Sequence, residues 1–174
     1  MATQKLMVVE DNQFMRALIS ELLEKQGFEV QAVDTTSAAV KLASSFDPDA
    51  AILDVELGTG PNGFDLARIL RESNPEIGLL FLTNIPEPKT IGVDNRSIPK
   101  DAAYLVKESV GNIELLLKAI KASLRGRVGA ELRQDREVHS LSNLSRSQLD
   151  LLHMAALGLS NTEIAQRRGT TVRA

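Results

Sequence analysis

The sequence predicts an α/β fold, a doubly wound parallel sheet of five strands with an α-helical segment after it. Three observations carry this. Short apolar runs bounded by breakers alternate with amphipathic stretches at the spacing of strand, crossover helix, strand. Several of those runs are apolar on both alternations, as strands covered on two faces require. Four of them end on a polar or charged residue, and in open parallel sheets ligands bind outside the carboxyl ends of the strands.

The first strand is Leu6-Met7-Val8-Val9, closed by Glu10-Asp11. Phe14, Leu18 and Leu22, flanked by Met15, Ile19 and Leu23, form an i, i+4 stripe that stops before Gly27, a favourable residue just past a helix end. Phe28 to Val33 reads as the second strand, and Asp34-Thr35-Thr36 offers caps for a helix carrying Ala39, Val40, Leu42 and Ala43. The third strand is the stretch Ala50-Ala51-Ile52-Leu53-Asp54-Val55-Glu56, which follows the breaker Asp47-Pro48-Asp49 and places Asp54 where the strand becomes a loop rich in glycine. Gly63 to Leu70 is helical and Asn74-Pro75 stops it. Gly78 to Thr83 is the fourth strand, Ala103 to Val106 the fifth, and a last helix runs from about Asn112 to Leu124. Between strands four and five, Pro86, Pro88 and Pro99 interrupt the rhythm, so the helix expected over Asn84 to Lys100 is short or missing. Residues 125–143 are polar and mixed in charge and read as a linker, partly helical. Over 144–174, Leu144 to Ala156 suggests a helix ending at Gly158, Ser160-x-x-Glu163 has the form of a capping box, and Thr170 begins a third helix.

Composition narrows the function. With 174 residues there is room for one ordinary domain and a small second one. A net charge of −3 gives no whole-chain case for nucleic acid or membrane binding. The absence of cysteine excludes disulfides and thiolate metal sites. No apolar run approaches the ~20 residues that span a bilayer, and the chain is expected to be cytoplasmic.

The strand ends bring Glu10, Asp11, Asp54, Thr83 and Lys107 to one edge of the sheet. Crowded carboxylates repel, and a hard divalent cation, Mg²⁺ above all, relieves the repulsion while sharing its shell with a phosphate. Lys107 suits a phosphate oxygen, and Asp54 is placed to attack a phosphoryl group in line. Taken one at a time, each has a plainer role: Asp11 as cap of the first helix, Thr83 as a strand-end residue, Lys107 as a solvated charge, Tyr104 as a half-buried strand aromatic. Their common edge argues against coincidence.

Glu10-Asp11, Asp54, Thr83 and Tyr104-x-x-Lys107 resemble the acidic pair, phosphoacceptor, switch hydroxyl, switch aromatic and lysine of two-component response regulator receiver domains, over about Lys5 to Leu124. The resemblance implies a flavodoxin-like strand order of 2-1-3-4-5 and phosphorylation of Asp54 by a histidine kinase. It implies Mg²⁺ held by Asp11, Asp54 and the main-chain carbonyl of Glu56, with Glu10 assisting. Thr83 would then follow the phosphoryl oxygen while Tyr104 turns inward. The sequence departs from the family in lacking proline after Leu57, in a loop one residue longer, in Asn84 after Thr83, in the extra acid Glu56, in Glu108 after Lys107, and in the irregular 84–100 segment.

The run Gly158-Leu159-Ser160-Asn161-Thr162-Glu163-Ile164-Ala165, with Gly169 beyond it, is similar to the first part of a LuxR-type helix-turn-helix, so the whole resembles a response regulator of the NarL/LuxR type. In that family a third helix enters the major groove. Only Thr171 to Ala174 of it stand here, Arg173 among them as the DNA-binding residue of a longer parent. The expectation is a receiver domain (1–124), a linker (125–143) and an incomplete DNA-binding domain (144–174) that alone does not bind a specific site. The same reading makes the chain a phosphorylation-controlled transcription regulator rather than an enzyme, and leaves a homodimer open. Its alternatives are a protein-interaction switch with slow or no phosphorylation and a Mg²⁺-dependent phosphatase, against which the tail argues.

Overall fold

The computed structural model describes residues 3–58, 60–85, 88, 98–136, 154 and 160–167. It divides into two compact units, Met1–Arg136 and Glu137–Ala174. In the first, β1 (Lys5–Val9), α1 (Gln13–Lys25), β2 (Glu29–Val33), α2 (Thr36–Phe46), β3 (Ala50–Leu53), α3 (Gly63–Ser73), β4 (Gly78–Thr83), β5 (Ala103–Val106) and α4 (Ile113–Leu124) follow in chain order. All strand pairs are parallel, and the order across the sheet is β2-β1-β3-β4-β5. The doubly wound sheet and its predicted order are both observed.

The two faces separate by alternation. Met7, Val9, Ala51, Leu53, Leu79, Phe81 and Tyr104 point to the face covered by α2 and α3. Leu6, Val8, Ala50, Ile52, Leu80, Leu82, Ala103 and Leu105 point to the face covered by α1 and α4. Because both faces are dry, β1 after Lys5, β3, β4 before Thr83 and β5 can be apolar throughout, whereas β2, at an edge, carries exposed Glu29, Gln31 and Ala32.

Local signals set the element ends. Gly27 lies at φ +87°, the left-handed turn that closes α1 and that a side chain would strain. Asn62 and Asp65 form a reciprocal capping box at α3. The cap of α1 is Asn12, whose side chain accepts from the Met15 N–H at 3.0 Å; Asp11 does not cap the helix and its carboxylate is released for other work. The irregular helix expected within 84–100 falls largely outside the described residues.

After α4 the chain turns at Gly126 and makes two 3-10 turns, Ala130–Leu132 and Gln134–Arg136, which lie on β5. This is part of the stretch expected to be a linker. Leu132, Arg133 and Asp135 are buried there. In the second unit, α5 (Asn161–Arg167) begins with the predicted capping box: the Ser160 N–H and hydroxyl donate to Glu163 Oε2 at 2.8 and 2.6 Å. Of the helix expected before Gly158, Met154 is described and is helical; the helix begun by Thr170, and Arg173, lie outside the described residues. Among the described residues no helix is long and apolar enough to cross a membrane.

Candidate functional site

The ladder of hydrogen bonds that makes the sheet continues one residue beyond β1 and β3 and so places the acids. Glu10 N–H donates to the Val33 carbonyl at 3.1 Å, and Asp54 N–H to the Val9 carbonyl at 2.9 Å. Both side chains are nearly sealed, Glu10 at 2% and Asp54 at 3% exposure, while Asp11 is exposed beside them. Oxygens of Glu10, Asp11 and Asp54 lie within 4.8 Å of one another.

Lys107, the first residue of a 3-10 turn over Lys107–Gly111, reaches into this group. Its Nζ stands 2.7 Å from Asp54 Oδ2 and 2.8 Å from Glu10 Oε2. Burial would lower the ammonium's pKa, but hydrogen bonds to Asp54 and Glu10 and their charges outweigh it and hold the group above its ordinary value. Burial raises the Glu10 carboxyl, with the Asp54 charge adding to it and the Lys107 hydrogen bond opposing. Two backbone amides finish the carboxylates: Asn12 N–H donates to Glu10 Oε1 and Glu56 N–H to Asp54 Oδ1, each at 3.2 Å. Glu56's own side chain is exposed.

Thr83 and Tyr104 are both wholly buried. They meet through one residue, since the Ile85 N–H donates to Thr83 Oγ1 at 3.2 Å and the Tyr104 hydroxyl donates to the Ile85 carbonyl at 2.5 Å. Tyr104 thus points inward, packed near Phe81 and Phe64 with ring centroids 6.0 and 6.5 Å away. Burial, then the charges of Asp135, Asp54 and Glu56, keeps its phenol protonated far above the ordinary range.

The structure therefore brings Glu10, Asp11, Asp54 and Lys107 into one cluster, and joins Thr83 to Tyr104 beside it. Two contributors escape sequence reasoning. Arg16, one turn into α1, donates to the Glu10 and Asp11 carbonyls at 2.6 and 3.2 Å and so clamps the acidic loop. Its signal was a base in the first turn of a helix that follows two acids. Gly63 lets α3 start against the end of β3, because a Cβ there would collide with the Asp54 carbonyl; its N–H donates to the Val55 carbonyl at 3.0 Å. Three carboxylates with converging oxygens, and only one ammonium among them, suit a hard oxygen-seeking dication.

Residues 6–121 match the family model described as the response regulator receiver domain. The chain is 32% identical to the nitrate/nitrite response regulator NarP of Escherichia coli over 92% of its length and 78% of NarP. It is 26% identical to the positive transcription regulator BvgA of Bordetella pertussis over 92% of its length and 80% of BvgA. The solved structure of the Thermotoga maritima response regulator TrrA, in complex with Mg²⁺ and BeF, superposes with a TM-score of 0.57 at 25% identity, covering 69% of this chain and 99% of that one.

Proposed function

This chain belongs to the response regulator receiver domain family, and on that premise we propose that it accepts a phosphoryl group on Asp54 from a sensor histidine kinase to control transcription. The observation that carries the proposal is the approach of Lys107 Nζ to Asp54 at 2.7 Å inside a cluster of three carboxylates. An Asp54 oxygen attacks phosphorus in line, the bond to the donor's imidazole nitrogen breaks, and that nitrogen leaves with the electron pair. Lys107 neutralises charge on the phosphoryl oxygens, the role for which a compact ammonium is suited. Asp11 and Asp54, with Glu10 and the Glu56 carbonyl, would hold Mg²⁺, which when bound supplies charge stabilisation to the carboxylates and the phosphoryl oxygens. Thr83 turns its hydroxyl toward the new oxygen anion; in doing so it releases Ile85, and Tyr104, tied to Ile85, shifts with it.

Residues 144–174 we assign to a LuxR-type helix-turn-helix, of which the capped helix α5 is the described part. Arg173, in the stretch that follows this helix, is the base that would meet DNA in such a domain. The proposed function is that of a cytoplasmic protein.

Incubation with a small phosphodonor and Mg²⁺, followed by mass measurement of the intact chain, tests the first assignment. The wild type is expected to gain one phosphoryl group and Asp54→Asn none. No gain in the wild type would favour a protein-interaction switch that works without phosphorylation.

A further inference from the structure

We infer that Gln134 is a positioning residue for Lys107, supplied by a segment beyond the residues that match the receiver family. The inference rests on the reading of Asp54 as phosphoacceptor. The family match ends at residue 121, and the segment in question comes back onto β5 from residue 130.

An edge strand presents main-chain groups with no strand beside them. On β5 one of these is the Val106 N–H, immediately before Lys107. Gln134 Oε1 accepts it at 2.7 Å and accepts the Ser109 hydroxyl at 3.2 Å. Only an acceptor satisfies a main-chain N–H, so the amide oxygen must face β5, and its two lone pairs serve both donors. The two anchors straddle Lys107, one residue before it and two after. The turn that launches the lysine side chain toward Asp54 and Glu10 is therefore tied down on both sides.

Gln134 is itself held in place. Its neighbours Arg133 and Asp135 form a two-pronged ion pair at 2.7 and 2.8 Å, buried to 2% and 3% exposure. Arg133 also donates to the Pro99 carbonyl at 3.3 Å, and its main chain makes a parallel bridge with Tyr104. Leu132 is sealed in the core on the α4 face. The acceptor is thus pre-ordered, and little entropy is lost in making its hydrogen bonds.

The expected consequence lies in rate rather than in affinity. A lysine has enough rotatable bonds to find a carboxylate from several backbone positions. Without the anchor the ion pair still forms, but the ammonium spends less time where the transferring phosphoryl oxygens will be. Small misplacements of this kind are costly to transfer rates.

The test uses the full 174-residue chain as wild type, Gln134→Met and Gln134→Glu, with acetyl phosphate and Mg²⁺. The rate constant at saturating donor, the Mg²⁺ half-saturation and the melting curve are measured for each. Gln134→Met keeps the length and loses the acceptor; it is expected to react about fivefold more slowly, the weight of one hydrogen bond, with unchanged Mg²⁺ half-saturation. Gln134→Glu keeps an acceptor oxygen and is expected to return within about twofold of the wild type. Amide exchange at Val106, which needs no phosphodonor, should quicken in Gln134→Met and remain slow in Gln134→Glu. Equal rates in wild type and Gln134→Met, or a slowing no larger than the unfolded fraction read from the melting curve, overturn the positioning role and leave Asp54 as phosphoacceptor. Unchanged exchange at Val106 overturns the contact. A wild type that gains no mass overturns both readings.

Discussion

In the same compact unit the buried Arg133 and the part-buried Lys107 are neutralised in opposite ways. Arg133 closes on Asp135, two residues away, through a two-pronged pair that leaves no surplus charge. Lys107 faces Glu10 and Asp54 with Asp11 close by, so one ammonium answers three carboxylates. A sealed pair of matched charges braces structure. A cluster left short of positive charge keeps a place for a cation and for a group that arrives with one. The difference separates what braces this domain from what it does.

The largest effect expected from this contrast is at the closed pair. Arg133→Met leaves Asp135 buried without its bidentate partner, and breaking such a pair typically costs about 3–5 kcal/mol. Urea denaturation followed by circular dichroism measures it. Replacing both members, Arg133→Met with Asp135→Leu, should recover most of the loss, since apolar residues of similar size often stand in for a buried pair at little cost. A single-variant loss below about 1 kcal/mol would remove Arg133 from the role of brace.

At the open cluster the corresponding lever is the metal. If Mg²⁺ is held by the folded carboxylates and not by the unfolded chain, it should stabilise by about 2.7 kcal/mol at a hundredfold excess over its dissociation constant. The double variant, Arg133→Met with Asp135→Leu, should show the same increment as the wild type, because it removes two matched charges together. Loss of that increment in the double variant would mean that the two regions are coupled.

The same contrast explains what could be read in the sequence. Strand ends are legible because a dry strand is an uninterrupted apolar run, and its end is announced by the first charge: Val9 to Glu10, Leu53 to Asp54, Val106 to Lys107. Convergence at one edge then follows from parallel topology, which brings Lys107 and Asp54, far apart in the chain, to one place. The division of labour between Asp11 and Asn12 was not legible, since both are good caps and only geometry shows that Asn12 takes the amide. Arg133, Gln134 and Asp135 stood in a polar, mixed-charge stretch that reads as solvated linker. Nothing in composition reveals that two opposite charges at i and i+2 pair with each other and go inside, or that a glutamine between them satisfies a strand edge. Arg16 was hidden for a related reason: a base on an amphipathic helix reads as a solvent-facing residue until its guanidinium is seen on two carbonyls.

The smallest effect, and the one that decides the sign of the contrast, is at Asp11. Its carboxylate has an oxygen within 4.8 Å of oxygens of Glu10 and Asp54, and among the described residues it makes no hydrogen bond or ion pair of its own. Two unit charges at that distance repel by about 3 kcal/mol at an effective dielectric of about 20, and exposure to water cuts the figure further, to roughly 1 kcal/mol. Asp11→Asn removes this repulsion without removing a partner. The helix cap belongs to Asn12, and Arg16 bonds to the Asp11 carbonyl, which asparagine retains. In the absence of divalent ions the variant should therefore be more stable than the wild type by about 1 kcal/mol in the same urea titration, the opposite sign to Arg133→Met. With Mg²⁺ added its increment should shrink, because a ligand has gone. If Asp11→Asn instead loses stability without metal, the cluster is braced by its charges as the Arg133 pair is, and the distinction between an open and a closed site does not hold for this domain.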